Sequence, residues 1–196
     1  MNCRGCAAPL RLPLIDLGTA PPSNAYLTAA QLEHAEQWLP LRVMVCEQCW
    51  LVQTQDYRSA VSLFDADYAY FSSYSSTWLT HAEAYVVRMV ERFALSSQSR
   101  VVEVASNDGY LLQYAAQRGI ACLGIEPTAS TAQAARAKGL DIREFFFGES
   151  TACQLLAEGW AADLLVANNV LAHVPDINDF VKGFTCLLKS AGVATF

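Results

Sequence analysis

The sequence predicts an α/β protein: a parallel sheet with helices on both faces, preceded by a small metal-binding module. Three observations carry this. From Arg100 onward, short apolar strands alternate with helical stretches. At the head of that alternation, Val101-Val102-Glu103-Val104 passes through Ala105-Ser106-Asn107-Asp108-Gly109 into Tyr110-Leu111-Leu112-Gln113, a strand, a small-residue turn and a helix. At the N-terminus, Cys3-Arg4-Gly5-Cys6 and Cys46-Glu47-Gln48-Cys49 are two C-x-x-C pairs. The implied organisation is a zinc-binding module over residues 1–58, a tyrosine-rich connector and helix over 59–98, and a Rossmann-like domain over 99–196.

A C-x-x-C pair presents two thiolates to one metal from a tight turn, and two pairs complete a tetrahedral four-sulfur Zn2+ site. Cys3, Cys6, Cys46 and Cys49 are the expected ligands. A closed four-thiolate shell leaves no position for water, so the metal should be structural. A redox C-x-x-C normally opens a helix after a strand, which neither pair does. The pairs stand about 40 residues apart, more than the roughly 15–20 of the common double knuckle, so an insertion is expected to loop out. Val43-Met44-Val45 and Leu51-Val52 read as strands flanking the second pair. Pro21-Pro22-Ser23-Asn24 reads as a turn and residues 28–33 as a capped helical turn. His34 reads as a solvated helix residue rather than a ligand.

Composition excludes several classes. With 53% hydrophobic and 16% charged residues, a chain of 196 can bury a core and is not disordered. A formal charge of −6 argues against a nucleic-acid or anionic-membrane partner. No run of 18 or more apolar residues occurs and the N-terminus has no signal-peptide core, so a cytoplasmic protein is expected. Seven cysteines in such a chain favour metal ligation and free thiols over a disulfide framework. Cys122, Cys153 and Cys186 lie in apolar periodic segments and read as buried free thiols.

The connector runs Asp65-Ala66-Asp67-Tyr68-Ala69-Tyr70-Phe71-Ser72-Ser73-Tyr74-Ser75-Ser76-Thr77-Trp78. It is too polar for a core strand and too aromatic for a plain linker. Tyr68, Tyr70 and Tyr74 are candidate catalytic hydroxyls, able to orient a polyhydroxylated substrate or donate a proton. The alternative is a packed crossing with satisfied hydroxyls. From Thr77, apolar residues at Leu79, Ala82, Val86, Met89, Val90 and Phe93 recur at helical spacing, and His81 on that helix reads as a packing residue.

In the α/β half, strands are expected at 101–104, 122–125, 163–167 and from 192, with a weak one at 141–145. Helices are expected at 110–118, 130–137, 151–157 and 178–188. Ligands in such sheets bind beyond the strand C-termini where the strand order reverses. That places residues 105–109, then Glu126, Pro127 and Thr128, then Asn168 and Asn169 at the cleft. Glu126 follows the first turn by about 20 positions, where an acid typically holds a ribose. The turn fits neither G-x-G-x-x-G nor a phosphate-binding loop, so a dinucleotide is disfavoured. S-adenosylmethionine (SAM), which carries no pyrophosphate, fits better. Asn168 and Asn169 offer amides to an amino-acid moiety or an adenine edge. His173 could act as a cleft base or pack at the rim.

Several segments together make the chain resemble the sugar C-methyltransferase family, SAM-dependent enzymes that methylate nucleotide-linked keto-deoxysugars. They are the four-Cys module, Tyr68-Ala69-Tyr70-Phe71-Ser72-Ser73-Tyr74-Ser75, the segment from Glu103 to Leu112, Leu123-Gly124-Ile125-Glu126-Pro127-Thr128, and the stretch from Ala167 through His173 to Asp176. The resemblance implies a class I SAM-methyltransferase-like fold. It implies cofactor-binding residues Glu103, Ala105, Ser106, Asn107, Asp108, Gly109, Glu126, Pro127, Asn168 and Asn169, and a connector that reaches the sugar site. It also implies carbon alkylation through an enolate, with no metal at the reacting carbon. One departure stands out. Gly192-Val193-Ala194-Thr195-Phe196 ends the chain inside the expected fifth strand, whereas family members continue with more sheet, a C-terminal domain and a His/Glu catalytic segment. None of His34, His81 and His173 matches that segment. A truncated form is therefore expected, binding zinc and SAM with little turnover alone, and its missing half is a candidate partner. Two rival readings are a SAM-dependent O- or N-methyltransferase of another small molecule, and a zinc-stabilised binding module that needs a C-terminal partner.

Overall fold

The computed structural model describes residues 1–24, 26–57 and 70–196. The chain divides into two compact units, Met1–Ala69 with Pro175–Asn178, and Tyr70–Val174 with Asp179–Phe196.

The first unit is a three-stranded antiparallel sheet of β1 (Leu12–Ala20), β2 (Leu39–Val45) and β3 (Val52–Thr54), in that order. The strands expected around the second Cys pair are present as β2 and β3. The insertion expected to loop out is instead β1, paired with β2 from Leu12↔Val45 to Ala20↔Leu39 with two register irregularities. Its sequence conceals it: Pro13 and Gly18 break the alternation, and nearly every side chain is exposed, so no one-face burial is written into it. Gln31–Glu33 is a single 3-10 turn. It is closed by the Thr28 N–H and hydroxyl, which donate to Gln31 Oε1 at 2.8 and 2.9 Å.

The second unit is a five-stranded parallel sheet of β4 (Arg100–Val104), β5 (Ala121–Ile125), β6 (Ile142–Arg143), β7 (Ala162–Val166) and β8 (Leu188–Thr195). The spatial order is β6-β5-β4-β7-β8, so the chain steps outward from β4 one way and then returns to its other side. The reversal point lies between β4 and β7, as the predicted doubly wound fold requires. The helices are α1 (Ser76–Phe93), α2 (Leu112–Ala116), α3 (Ala129–Ala137), α4 (Glu149–Ala157) and α5 (Ile177–Leu187). One face of the sheet packs Val101, Leu164 and Val166 against α1, α2 and α3 through Ala82, Val86, Leu112 and Ala132. The other packs Val102, Val104, Leu123 and Leu165 against α4 and α5 through Leu155, Phe180, Phe184 and Leu187. Strand alternation produces both faces from one run of apolar residues.

The helix predicted from Thr77 is α1, capped by the Ser75 hydroxyl accepting from the Trp78 N–H and ended by Ala94 in a left-handed conformation. Three elements differ from expectation. The helix expected at 110–118 contracts to the five residues of α2, β6 has only two residues, and β8 begins directly after α5 at Leu188. Cys153 is exposed and Cys122 and Cys186 are half-buried, which corrects their reading as buried thiols. No described helix is long and apolar enough to cross a membrane.

Gly109 has φ +75°, and a Cβ there would lie 2.2 Å from Leu140 Cδ1 and 3.3 Å from Ala135 Cβ. Gly109→Ala should therefore destabilise the second unit by about 1–3 kcal/mol in urea unfolding. An unchanged midpoint would contradict this packing.

Candidate functional site

The two C-x-x-C pairs fold into knuckles that repeat each other bond for bond. The N–H groups of Cys3 and Cys46 donate to the carbonyls of Ala8 and Leu51, and those of Ala7 and Trp50 donate back to Cys3 and Cys46. The N–H groups of Gly5 and Gln48 each point at the first sulfur of their pair, at 3.4 Å. Ala7 and Trp50, the residues after each pair, both take left-handed backbone, at φ 61° and 62°. This brings all four Sγ atoms within 4.8 Å of one another, with Cys3–Cys49 and Cys6–Cys46 each at 3.5 Å. A zinc–sulfur tetrahedron has sulfur–sulfur edges of about 3.8 Å, so the four thiols fit one Zn2+. Burial opposes ionisation of Cys3, but the backbone N–H groups of Cys6 and Gly5 and the Gln53 amide hold its thiol down at about 6. Cys49 is pushed up to about 12: the Leu51 N–H works against the rise, and the Cys3 thiol and burial produce it. His34 is not among the ligands.

Among the described residues of the first unit, the buried apolar side chains are only Cys3, Met44 and Cys46. So small a core cannot offset chain entropy without the metal. Chelating the zinc should make residues 1–57 protease-sensitive while the helical circular-dichroism signal of the second unit persists. Resistance of residues 1–57 after complete zinc removal would contradict a structural role for the metal.

In the second unit the site is built on the turn between β4 and α2. Ala105, Asn107 and Gly109 all take positive φ, at 57°, 50° and 75°. This sharp reversal aims backbone past the end of β4. Glu126, at the end of β5, is buried and accepts from the Asn107 N–H and the Thr128 N–H, each at 2.9 Å. The Ser106 N–H donates to the Ile125 carbonyl at 3.1 Å. Pro127 and Asn168 are half-buried beside the turn, Asn169 is exposed at φ 53°, and the Asn168 amide donates to the Tyr110 hydroxyl at 3.4 Å. Tyr110 in turn stacks on Trp78, which stacks on His81.

Glu103 is fully buried, paired in register with Gly124 on one side and Val166 on the other. Tyr110 and the Leu112 N–H lie near its carboxylate without meeting hydrogen-bond geometry. Burial raises its pKa well above the usual carboxylate range, and the nearby Glu126 and Asp108 carboxylates raise it further. The buried side-chain atoms without a partner among the described residues are both Glu103 oxygens, Ser106 Oγ, Thr128 Oγ1 and Ser130 Oγ. Glu103 lies in β4, Ser106 and Thr128 just beyond the ends of β4 and β5, and Ser130 in the first turn of α3. Buried polar groups in folded proteins are normally satisfied, so this cluster fits a polar ligand such as the hydroxyls and ammonium of SAM.

The connector is fastened to the same turn. Asn107 Oδ1 accepts from the Ser72 N–H at 2.9 Å, and Asn107 Nδ2 donates to the Tyr70 carbonyl at 3.0 Å. Both Asp108 carboxylate oxygens accept from the Ser73 N–H at 3.3 Å. Lys138 Nζ donates to Ser73 Oγ at 2.8 Å and to the Asp108 carbonyl at 2.6 Å, and pairs with Asp108 Oδ2 at 3.4 Å. The Asn107 and Asp108 side chains thus hold the connector. Tyr70 and Tyr74 are brought alongside, both exposed, with Tyr74 stacked on Phe71. Tyr68 lies outside the described residues. Sequence reasoning did not single out Ser72, Ser73, Tyr110 or Lys138. Lys138 sits before Gly139 at a helix end, where a basic residue is unremarkable.

The folded-state rise at Glu103 makes stability depend on pH. Between its ordinary value of 4.5 and its raised one, the unfolded chain releases a proton that the folded chain keeps. The favourable contribution is complete below that ordinary value and is lost as pH rises. The stability gap between Glu103→Gln and the parent should widen in favour of the variant as pH rises above about 5, by up to about 1.4 kcal/mol per pH unit. A gap independent of pH would show Glu103 ionised in the folded protein.

Residues 3–64 match a family model described as "Putative zinc binding domain", and residues 102–194 match one described as "Methyltransferase domain". The chain is 28% identical over 192 residues to "C-methyltransferase NovU" of Streptomyces niveus, covering 98% of this chain and 46% of that protein. The chain therefore spans less than half the length of that relative. Similar solved structures include magnesium protoporphyrin IX methyltransferase from Synechocystis PCC 6803 with bound SAM, at TM-score 0.46 and 17% identity, covering 57% of this chain and 54% of that one. Another is a SAM-dependent methyltransferase from Geobacter sulfurreducens in complex with S-adenosyl-L-homocysteine, at TM-score 0.43 and 16% identity, covering 61% and 47%. The four-thiol cluster thus lies in the stretch that matches the zinc-binding model, and the β4–α2 turn and Glu126 lie in the stretch that matches the methyltransferase-domain model.

Proposed function

We propose that the protein takes part in SAM-dependent C-methylation of a nucleotide-linked keto-deoxysugar. The observation that carries this is the fastening of the Tyr70–Tyr74 connector to the cofactor turn through Asn107, Asp108 and Lys138. It holds a row of hydroxyl groups beside the place where a methyl donor fits. The likeness to a protein named as a C-methyltransferase, over nearly the whole chain, supports carbon as the acceptor.

In this reading Glu126 holds the ribose hydroxyls, while Glu103, Ala105, Ser106, Gly109 and Pro127 line the cofactor. Asn107 and Asp108 contribute backbone to it, and Asn168 and Asn169 meet the methionine end. SAM supplies an electrophilic methyl on sulfur. A base removes the proton α to the sugar ketone, and donors such as the Tyr70 and Tyr74 hydroxyls, with Tyr68, stabilise the enolate oxygen. The enolate carbon then takes the methyl in line, and S-adenosylhomocysteine leaves. Positioning and enolate stabilisation supply most of the acceleration. The acidic chain fits a small-molecule substrate rather than nucleic acid or an anionic membrane.

The test is NMR of the product formed with 13C-methyl SAM and nucleotide-linked keto-deoxysugars. The expected outcome is a carbon-bound methyl with solvent deuterium entering the α position, and a fall in kcat of about 10-fold or more in Tyr70→Phe or Tyr74→Phe. A methyl on oxygen or nitrogen would replace this reading with an O- or N-methyltransferase. Cofactor binding without turnover, restored by a separate C-terminal polypeptide, would favour a binding module.

A further inference from the structure

Away from the cofactor turn, α4 and α5 flank β7 in the sequence and pack on the same face of the sheet. Three contacts run along their seam. The Glu149 N–H donates to Asp179 Oδ1 at 3.2 Å, Lys182 pairs with Glu149 at 3.7 Å, and Cys153 Sγ meets Cys186 Sγ at 2.8 Å. Glu149 and Cys153 are one turn apart on α4, as are Lys182 and Cys186 on α5, so the two helices run side by side in the same direction. Gly183 permits this approach, because a Cβ there would lie 2.9 Å from the Gly148 carbonyl and 2.7 Å from the Phe147 ring. The thiols crown the seam at its solvent side: Cys153 is exposed and Cys186 half-buried.

We propose that Cys153 and Cys186 form a reversible dithiol–disulfide site that couples α4 to α5. The sulfurs need to close by less than about 1 Å to reach bonding distance. The Cys153 thiol pushes that of Cys186 up to about 11, helped by burial, so Cys186 keeps its proton at neutral pH and the exposed Cys153 meets an oxidant first. With a small disulfide such as oxidised glutathione, the Cys153 thiolate attacks one sulfur and releases one glutathione thiolate. Cys186 then gives up its proton, attacks Cys153 Sγ and expels the second. Two electrons and two protons leave the cysteine pair, and the oxidant becomes two thiols. The other cysteines do not compete. Four are committed to zinc, and Cys122 donates to the Ile120 carbonyl at 3.1 Å with its thiol pushed up to about 12 by burial. The bridge would close a loop containing all of β7 and the Asn168–Asn169 turn, placing the cofactor cleft under redox influence.

The test incubates the zinc-loaded chain with oxidised glutathione, quenches with an alkylating agent in denaturant plus chelator, and maps the peptides by mass spectrometry. The expected result is a Cys153–Cys186 linked peptide, with free thiols falling from seven to five. Oxidation should also raise Tm by roughly 5 °C or more, through loop closure. Cys186→Ser should trap glutathione on Cys153. The proposal is overturned if the parent chain keeps seven thiols under conditions that oxidise a reference dithiol, or if Cys153 or Cys186 links instead to Cys122 or a zinc thiol. The parent peptide map decides the matter even if a variant folds poorly.

Discussion

The turn at the end of β4 has to reverse the chain through three left-handed residues in five, and the Glu126 carboxylate is what holds it. One oxygen takes the Asn107 N–H and the other the Thr128 N–H, so the ends of the two central strands are joined by a single side chain. The rest of the site inherits its position from that link. Asn107 and Asp108, set by the turn, present their side chains to the connector, and Lys138 closes the arrangement from the end of α3. A polar ligand laid on the turn would touch backbone whose geometry is fixed before it arrives, which lowers the entropic cost of binding.

Such a site is maintained against local stability. Glu103 occupies a strand position that an apolar residue would fill at no desolvation cost, and among the described residues neither of its oxygens has a hydrogen-bond partner. Gly124 beside it leaves no room for a side chain, since a Cβ would come within 2.5 Å of Ser106 Oγ. Local rules broken at neighbouring positions on two strands, with apolar packing intact on the opposite face, mark a functional region rather than a weak core. The zinc module shows a different compromise. Among its described residues the sheet is exposed and the buried apolar side chains are two cysteines and a methionine, so the metal stands in for a hydrophobic core.

Much of this was legible in the sequence because two periods and one chemistry leave firm marks. The strand–helix alternation after Arg100 and the 3.6-residue stripe of α1 came directly from apolar spacing, and the thiol tetrad from the C-x-x-C pairs. What stayed hidden has physical reasons. β1 is exposed on both faces and interrupted by Pro13 and Gly18, so it shows no alternation. The bonds from Ser72 and Ser73 to the turn span 35 residues and run from backbone to side chain, where local pattern has no say. Cys153 sits among apolar neighbours, but the helix carries it to the solvent side of the α4–α5 seam, where it meets a thiol 33 positions away. Apolar company along the chain does not by itself mean burial.

The central claim is that the β4–α2 turn and Glu126 form the cofactor site, and isothermal titration of the zinc-loaded chain with S-adenosylhomocysteine tests it most directly. The account predicts saturable binding near one per chain, weakened by about 10-fold or more in a Glu126→Ala variant that keeps its helical signal. A folded, zinc-loaded chain that does not bind, or a Glu126→Ala variant that binds undiminished, would contradict it.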